Sequence, residues 1–196
     1  MVQVPQAIVS QAAQRYGLPG QALEPRGGSE GALFRAHLPT TMVALKLLPV
    51  PEAGRAVVEE RWAFVAYLAD HGVRVAQPIP SLSGALIEWV QAADSWWAAV
   101  ALPWLEGQPL EPRQFAQVET RVLENWGSTM GQMHALAQQY PAGVHLGHWR
   151  DEVEVMVALC SEPPILAAWQ DMTARLEGLP TDGASYGLVH NDLHAL

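Results

Sequence analysis

At 196 residues the chain can bury a real core and fits one domain or two closely packed lobes. Hydrophobic residues make up 49% and charged residues 16%, which excludes an intrinsically disordered chain. The net charge of −9 and the scattered Lys and Arg argue against nucleic acid as a partner, since gripping phosphates needs clustered cations. No apolar run approaches the ~18 residues of a membrane span. The start, MVQVPQAIVSQAAQRYG, lacks a positive n-region, so neither a signal peptide nor a membrane partner is expected. A single cysteine, Cys160, leaves no intramolecular disulfide and fits a reducing compartment, with the cytoplasm as the expected location.

In chain order, residues 5–16 read as a helix, opened by Pro5 and stopped by Gly17. Leu23 to Val50 reads as strands around a glycine-rich turn. Ala32, Phe34, Ala36 and Leu38 share one face of a strand, and Pro39-Thr40-Thr41 turns the chain into a second strand, Met42 to Leu48. Glu52 to His71 is predicted helical, with Gly72 just past its end. Two further strands fit GALIEWVQ and WWAAVALP, joined by a turn at residues 92–95.

Pro103 and Pro109 bracket WLEGQ, the best linker candidate. Beyond it the pattern is mainly helical. Gln114 to Gln139 carries an apolar stripe from Phe115 through Trp126 to Ala137, with Gly127 and Gly131 one turn apart, a notch another backbone could enter. Shorter helices fit Arg150 to Cys160 and Pro164 to Leu176, and a short strand fits Gly187-Leu188-Val189. The expected architecture is α+β: a small β-rich lobe over residues 1–102, a linker over 103–109 and a helical lobe over 110–196.

Four motifs could carry chemistry. In VALK, residues 43–46, Lys46 sits within an alternating apolar strand and is costly to bury unless an anion meets it. It suits a lysine that points into a cleft and holds nucleotide phosphates, steadied by Glu60 or, as the alternative, Glu59 from the following helix. An edge-strand lysine reaching to water explains the same four letters. RGGSEG, residues 26–31, lets backbone N–H groups approach a phosphate. It has neither G-x-G-x-x-G nor P-loop spacing, and a plain hairpin uses glycines equally well.

The ending YGLVHNDLHAL is the most informative stretch. His190-x-Asp192-Leu193 after a short apolar run matches the opening of the kinase loop H-x-D-L-x-x-x-N. The aspartate there accepts or orients the proton of the attacking hydroxyl, and the asparagine holds magnesium. His194, Ala195 and Leu196 fill the variable positions. A rival reading takes His190, Asp192 and His194 as metal ligands of a hydrolase, completed by His134, His145 or His148, although their spacing gives it no support.

Taken together, GGSEGALFRAHL, VALKLL, EERWAFVAYLADHGVRVAQPIPS, ALPWLEGQPL, WGSTMGQMHAL and GLVHNDLH resemble, in this order, the aminoglycoside phosphotransferase and choline kinase-like enzymes. The resemblance implies a two-lobe protein-kinase-like fold and transfer of the γ-phosphoryl of ATP to a hydroxyl of a small-molecule acceptor, with Mg2+ as the metal. It implies Asp192 as catalytic base with His190 supporting the loop, and Lys46 with Glu60 at the phosphates. Gly28, Ser29, Glu30 and Gly31 would form the nucleotide loop, and Leu102 to Leu105, with Pro103, the hinge at the adenine. It also implies magnesium ligands beyond Leu196, so the chain reads as the N-terminal part of such an enzyme, expected to be inactive alone. A non-catalytic nucleotide-binding or degenerate kinase fragment is the alternative.

Overall fold

The computed structural model describes residues 3–20, 23–28, 31–92, 95–107, 118–141, 145–183 and 185–189. Helix α1, Gln6–Arg15, follows its sequence pattern closely. Ile8, Val9, Ala12 and Ala13 form its buried stripe, and Pro5 stands at the N-cap. Gly17, at φ +62°, ends it. The Leu18 N–H then returns to the Ala13 carbonyl at 2.8 Å and the Gly17 N–H to Gln14 at 3.1 Å, a Schellman closure that needs a residue tolerant of positive φ.

Strands β1 (Leu23–Gly27), β2 (Ala32–His37), β3 (Met42–Val50), β4 (Glu88–Ala92) and β5 (Ser95–Pro103) form one sheet in the order β1-β2-β3-β5-β4. Each neighbouring pair is antiparallel. Pro25 falls in β1, at the sheet edge, where a missing N–H disrupts no ladder. Alternation along central β3 sends Val43, Leu45 and Leu47 into a core with α1, Ala36, Val90, Trp97, Ala99 and Ala101. The opposite face meets helix α2, Arg55–Asp70, through a smaller cluster of Val50, Val58 and Ala98, with Trp62, Ile87 and Trp89 packed against it. The predicted helix at 52–71 opens instead as a 3-10 turn, Glu52–Gly54, before the regular helix begins.

α2 is fastened to the sheet by an aromatic and charged clamp. The Arg55 guanidinium lies between the rings of Trp89 and Trp96, 4.5 Å from each centroid. The two indole N–H groups donate to Glu59 at 3.0 Å and to Glu52 at 2.8 Å. Both carboxylates therefore meet donors at the sheet surface.

A second fastening joins α1 to β4. The buried Glu88 carboxylate accepts from the Ser81 and Ser83 hydroxyls, both at 2.6 Å, and from Arg15 at 2.7 Å. Burial by itself would raise the Glu88 pKa, but the two hydroxyls and the Arg15 guanidinium outweigh it and hold the carboxyl below its ordinary 4.5. Tyr16 beside it donates to the Ala99 carbonyl at 2.8 Å. Its pKa is pushed up to about 12, first by burial and then by the Glu88 charge. Because the folded pKa of Glu88 is depressed, its contribution is fully present above about pH 4.5 and is lost as pH falls through the lower folded value. Glu88→Gln should therefore flatten the acid limb of a melting-temperature profile taken from pH 7 to pH 3. An unchanged acid limb would show that this carboxylate does not govern acid stability.

The helical part comprises α3 (Thr120–Ala137), α4 (Trp149–Leu159) and α5 (Pro163–Glu177). The predicted helix at 114–139 is thus found from Thr120 onward, and residues 108–117 lie outside the described ones. The notch at Gly127 and Gly131 holds no described backbone, since a Cβ at either position would meet nothing within 4 Å. The expected strand at Gly187-Leu188-Val189 is not formed; no described segment offers these residues a ladder partner, and a strand exists only by pairing.

Candidate functional site

Lys46 stands in the middle of β3, paired across the sheet with Leu33 of β2 and Val100 of β5. Alternation puts it on the face away from α1, together with Met42, Ala44 and Leu48, which is the face α2 covers at the Val50 end. Its side chain is half-buried. An inner strand of a five-stranded sheet carries it, so the edge-strand explanation for this lysine does not apply.

The glycine turn closes at one end of that position. Register Leu33↔Lys46 and Ala32↔Leu47 brings Gly31 over β3, where a Cβ would collide with the Leu47 carbonyl. Gly28, at φ +127°, would set a Cβ 2.5 Å from the Gly31 carbonyl oxygen. Both positions therefore require glycine for steric reasons. Ser29 and Glu30, expected in the same loop, lie outside the described residues.

The opposite end of β3 meets the predicted hinge. Pro103 pairs with Val43 at the close of β5, and the Trp104 N–H donates to the Met42 carbonyl at 3.1 Å. Arg35 covers the Trp104 ring at 5.4 Å. Leu105 is 68% exposed, so the chain leaves the sheet here. At ~3.4 Å per residue the Lys46 Cα sits roughly 14 Å from that of Met42 along the strand, between Gly31 at one end and the close of β5 at the other.

Of the two candidate glutamates, Glu60 is buried and Glu59 exposed. α2 brings Glu60 to the same side of the sheet as Lys46. Its carboxylate accepts the His145 N–H at 2.7 Å, and no Lys46–Glu60 ion pair is present among the described residues. Glu60 thus ties α2 to the chain beyond α3. Tyr140 lies beside it, T-shaped on Phe64 at 4.9 Å and tilted on Tyr67 at 5.0 Å. Burial first, and the Glu60 charge second, raise the Tyr140 pKa above 10.0. The Tyr67 hydroxyl donates to the Leu136 carbonyl at 3.4 Å, extending the same junction to α3. Nothing local in the sequence marks Tyr140 or His145 for this role, because their partners are 73 or more positions away.

His190, Asp192 and His194 lie outside the described residues. Of the three histidines considered as completing a metal site, His145 uses its backbone N–H on Glu60, and His148 caps α4 through its side chain. Among the described residues no group of three or more His, Cys, Asp or Glu could hold a metal ion. No described helix is long and apolar enough to cross a membrane.

Comparison with known proteins shows the family and the fold. The profile of the Phosphotransferase enzyme family matches residues 25–195. An uncharacterized protein of Deinococcus radiodurans is 30% identical over 98% of this chain and 57% of its own length. Amicoumacin kinase of Bacillus subtilis (strain 168) is 24% identical over 95% of this chain and 57% of its own length. The structure of an amicoumacin kinase in complex with AMP-PNP, Ca2+ and Ami superposes with a TM-score of 0.85 at 19% identity, covering 98% of this chain and 59% of that one. The fold is thus the α+β, protein-kinase-like one. The chain spans less than two thirds of the length of each of these relatives.

Proposed function

Because this chain belongs to the Phosphotransferase enzyme family, we propose that it carries the nucleotide-binding part of a small-molecule kinase, which transfers the γ-phosphoryl group of ATP to a hydroxyl of its acceptor. The observation that carries this reading is Lys46: a half-buried cation on the inner strand β3, with a steric glycine turn at one end and the sheet exit at the other. In this reading Lys46 meets the phosphates, and Gly28, Ser29, Glu30 and Gly31 supply backbone N–H groups above them. Residues 102–105, including Pro103 and Leu105, offer their backbone to the adenine as the hinge between a lobe of residues 1–102 and a lobe beginning at 110. Glu60 steadies Lys46 from α2 once nucleotide draws the two together.

Asp192 accepts the proton of the attacking hydroxyl, and His190 holds the loop that presents it. Transfer of this kind depends on positioning and on neutralising charge, which a bound divalent cation, Mg2+ in this proposal, supplies at the phosphates. The amicoumacin kinase structure, solved with a nucleotide analogue and Ca2+, supports nucleotide and divalent metal as the cofactors. The acceptor proposed is a small hydroxylated amine, because the chain's charge of −9 favours a cation.

The test is transfer of labelled phosphate from MgATP to a panel of hydroxylated amines, using the gene product as its cell makes it. Asp192→Asn should lower transfer about 10²–10⁴-fold while nucleotide binding persists. Binding of AMP-PNP without any transfer would favour a non-catalytic nucleotide-binding protein. Failure to bind nucleotide at all would sink the proposal.

A further inference from the structure

His148 makes two hydrogen bonds through its ring, one from each nitrogen. Its Nδ1 accepts from the Arg150 N–H at 3.1 Å, capping the first turn of α4. A nitrogen that accepts carries no proton, so the single hydrogen of the neutral ring resides on Nε2. That Nε2–H donates to the Tyr186 hydroxyl oxygen at 2.5 Å. The capping box is completed by the His148 N–H, which donates to Asp151 at 2.9 Å. Trp149 packs 5.5 Å from the imidazole, Arg150 covers Trp149 at 4.7 Å, and Arg150 reaches Glu177 of α5 at 3.5 Å. The imidazole is therefore aimed at Tyr186 by the start of a helix that is itself tied to its neighbour.

Tyr186 closes a turn in which the Ser185 and Tyr186 N–H groups both donate to the Asp182 carbonyl at 2.9 Å. Residues 187–189 follow without a ladder partner among the described residues. His190 is four positions after Tyr186 and Asp192 six. Chain length alone keeps their Cα atoms within roughly 14 Å and 21 Å of that of Tyr186. The His148–Tyr186 bond is thus a side-chain anchor close before the loop that holds the proposed base.

We propose that His148 and Tyr186 are positioning residues for Asp192: the imidazole caps α4 with one nitrogen and, with the other, pins the segment that leads toward Asp192. This rests on the kinase reading above. A base works only within hydrogen-bond reach of the proton it takes, and a small misplacement costs rate without touching nucleotide affinity. An anchor on the segment entering the loop therefore acts on kcat rather than on KM.

Two substitutions separate the roles of the two nitrogens. Asparagine places an acceptor near the Nδ1 position and nothing at Nε2; glutamine places an amide N–H near Nε2 and leaves the cap unmade. In the gene product as its cell makes it, with MgATP and the panel of hydroxylated amines as probes and ADP release as readout, His148→Asn should keep the melting temperature and the KM for ATP but lower kcat about 3- to 10-fold. Tyr186→Phe should do the same, and the double variant should lose no more than either, because one bond is removed in all three. His148→Gln should show the converse, a lower melting temperature with kcat retained. Wild-type kcat in both His148→Asn and Tyr186→Phe would overturn the inference and leave the kinase reading standing, and so would His148→Gln losing kcat as His148→Asn does. A wild-type protein that releases no ADP would overturn the kinase reading and this inference with it.

Discussion

Replacing Lys46 by methionine should lower MgATP turnover about 10²- to 10³-fold, the range for removing one preorganised charge partner of a reacting group, with little change in folding stability. Methionine keeps much of the apolar stem that lies against Leu33 and Val100 in the ladder. What disappears is the ammonium, which in the proposed role faces the phosphates rather than the core. Turnover and AMP-PNP titration on the wild type and Lys46→Met, with a melting curve for each, would check this. Unchanged turnover would remove Lys46 from the site, and a large drop in melting temperature would show that its charge serves the fold.

One residue earlier the expected result is reversed. Leu45→Ala should destabilise the protein by about 2–5 kcal/mol, lowering the melting temperature by roughly 5–15 °C for a chain of this size. Leu45 is fully buried, paired with Phe34 on one side and Ala101 on the other, and it belongs to the core beneath α1. Truncation leaves a cavity on a central strand, between the sheet and α1, where little relaxation can fill it. The nucleotide affinity of the molecules that stay folded should be near the wild-type value, since Leu45 faces away from Lys46. A loss below about 1 kcal/mol, at the level of an ordinary surface change, would mean that this part of the core collapses freely.

The contrast between neighbours follows from the two-residue period of a strand. A one-residue slip of β3 would exchange the faces, burying Lys46 under α1 and exposing Leu45. The register is therefore a condition for both stability and the site. It is fixed by the hydrophobic set Val43, Leu45 and Leu47, which enters the larger of the two apolar clusters, the one beneath α1.

Local rules were enough for most of the elements and for naming candidate residues. The stripe of α1, the alternation around Lys46 and the glycines between the first two strands each depend on neighbours within a few positions, where periodicity and turn chemistry act directly. The order of motifs was legible for the same reason, and with it the family. Partners separated by long stretches of chain were not. That Glu60 is the buried glutamate of its pair, and that it meets the His145 N–H, depends on how the chain beyond α3 returns to α2. Glu88 finding Ser81, Ser83 and Arg15, and His148 finding Tyr186, are likewise matters of assembly. The missing strand at 187–189 teaches the same lesson from the other side: three apolar-leaning residues satisfy a local pattern, but a strand needs a neighbour to accept its hydrogen bonds. Sequence determined what each segment could be and which residues could react; tertiary structure decided which polar groups met, because burial must supply every one of them with a partner wherever along the chain it lies.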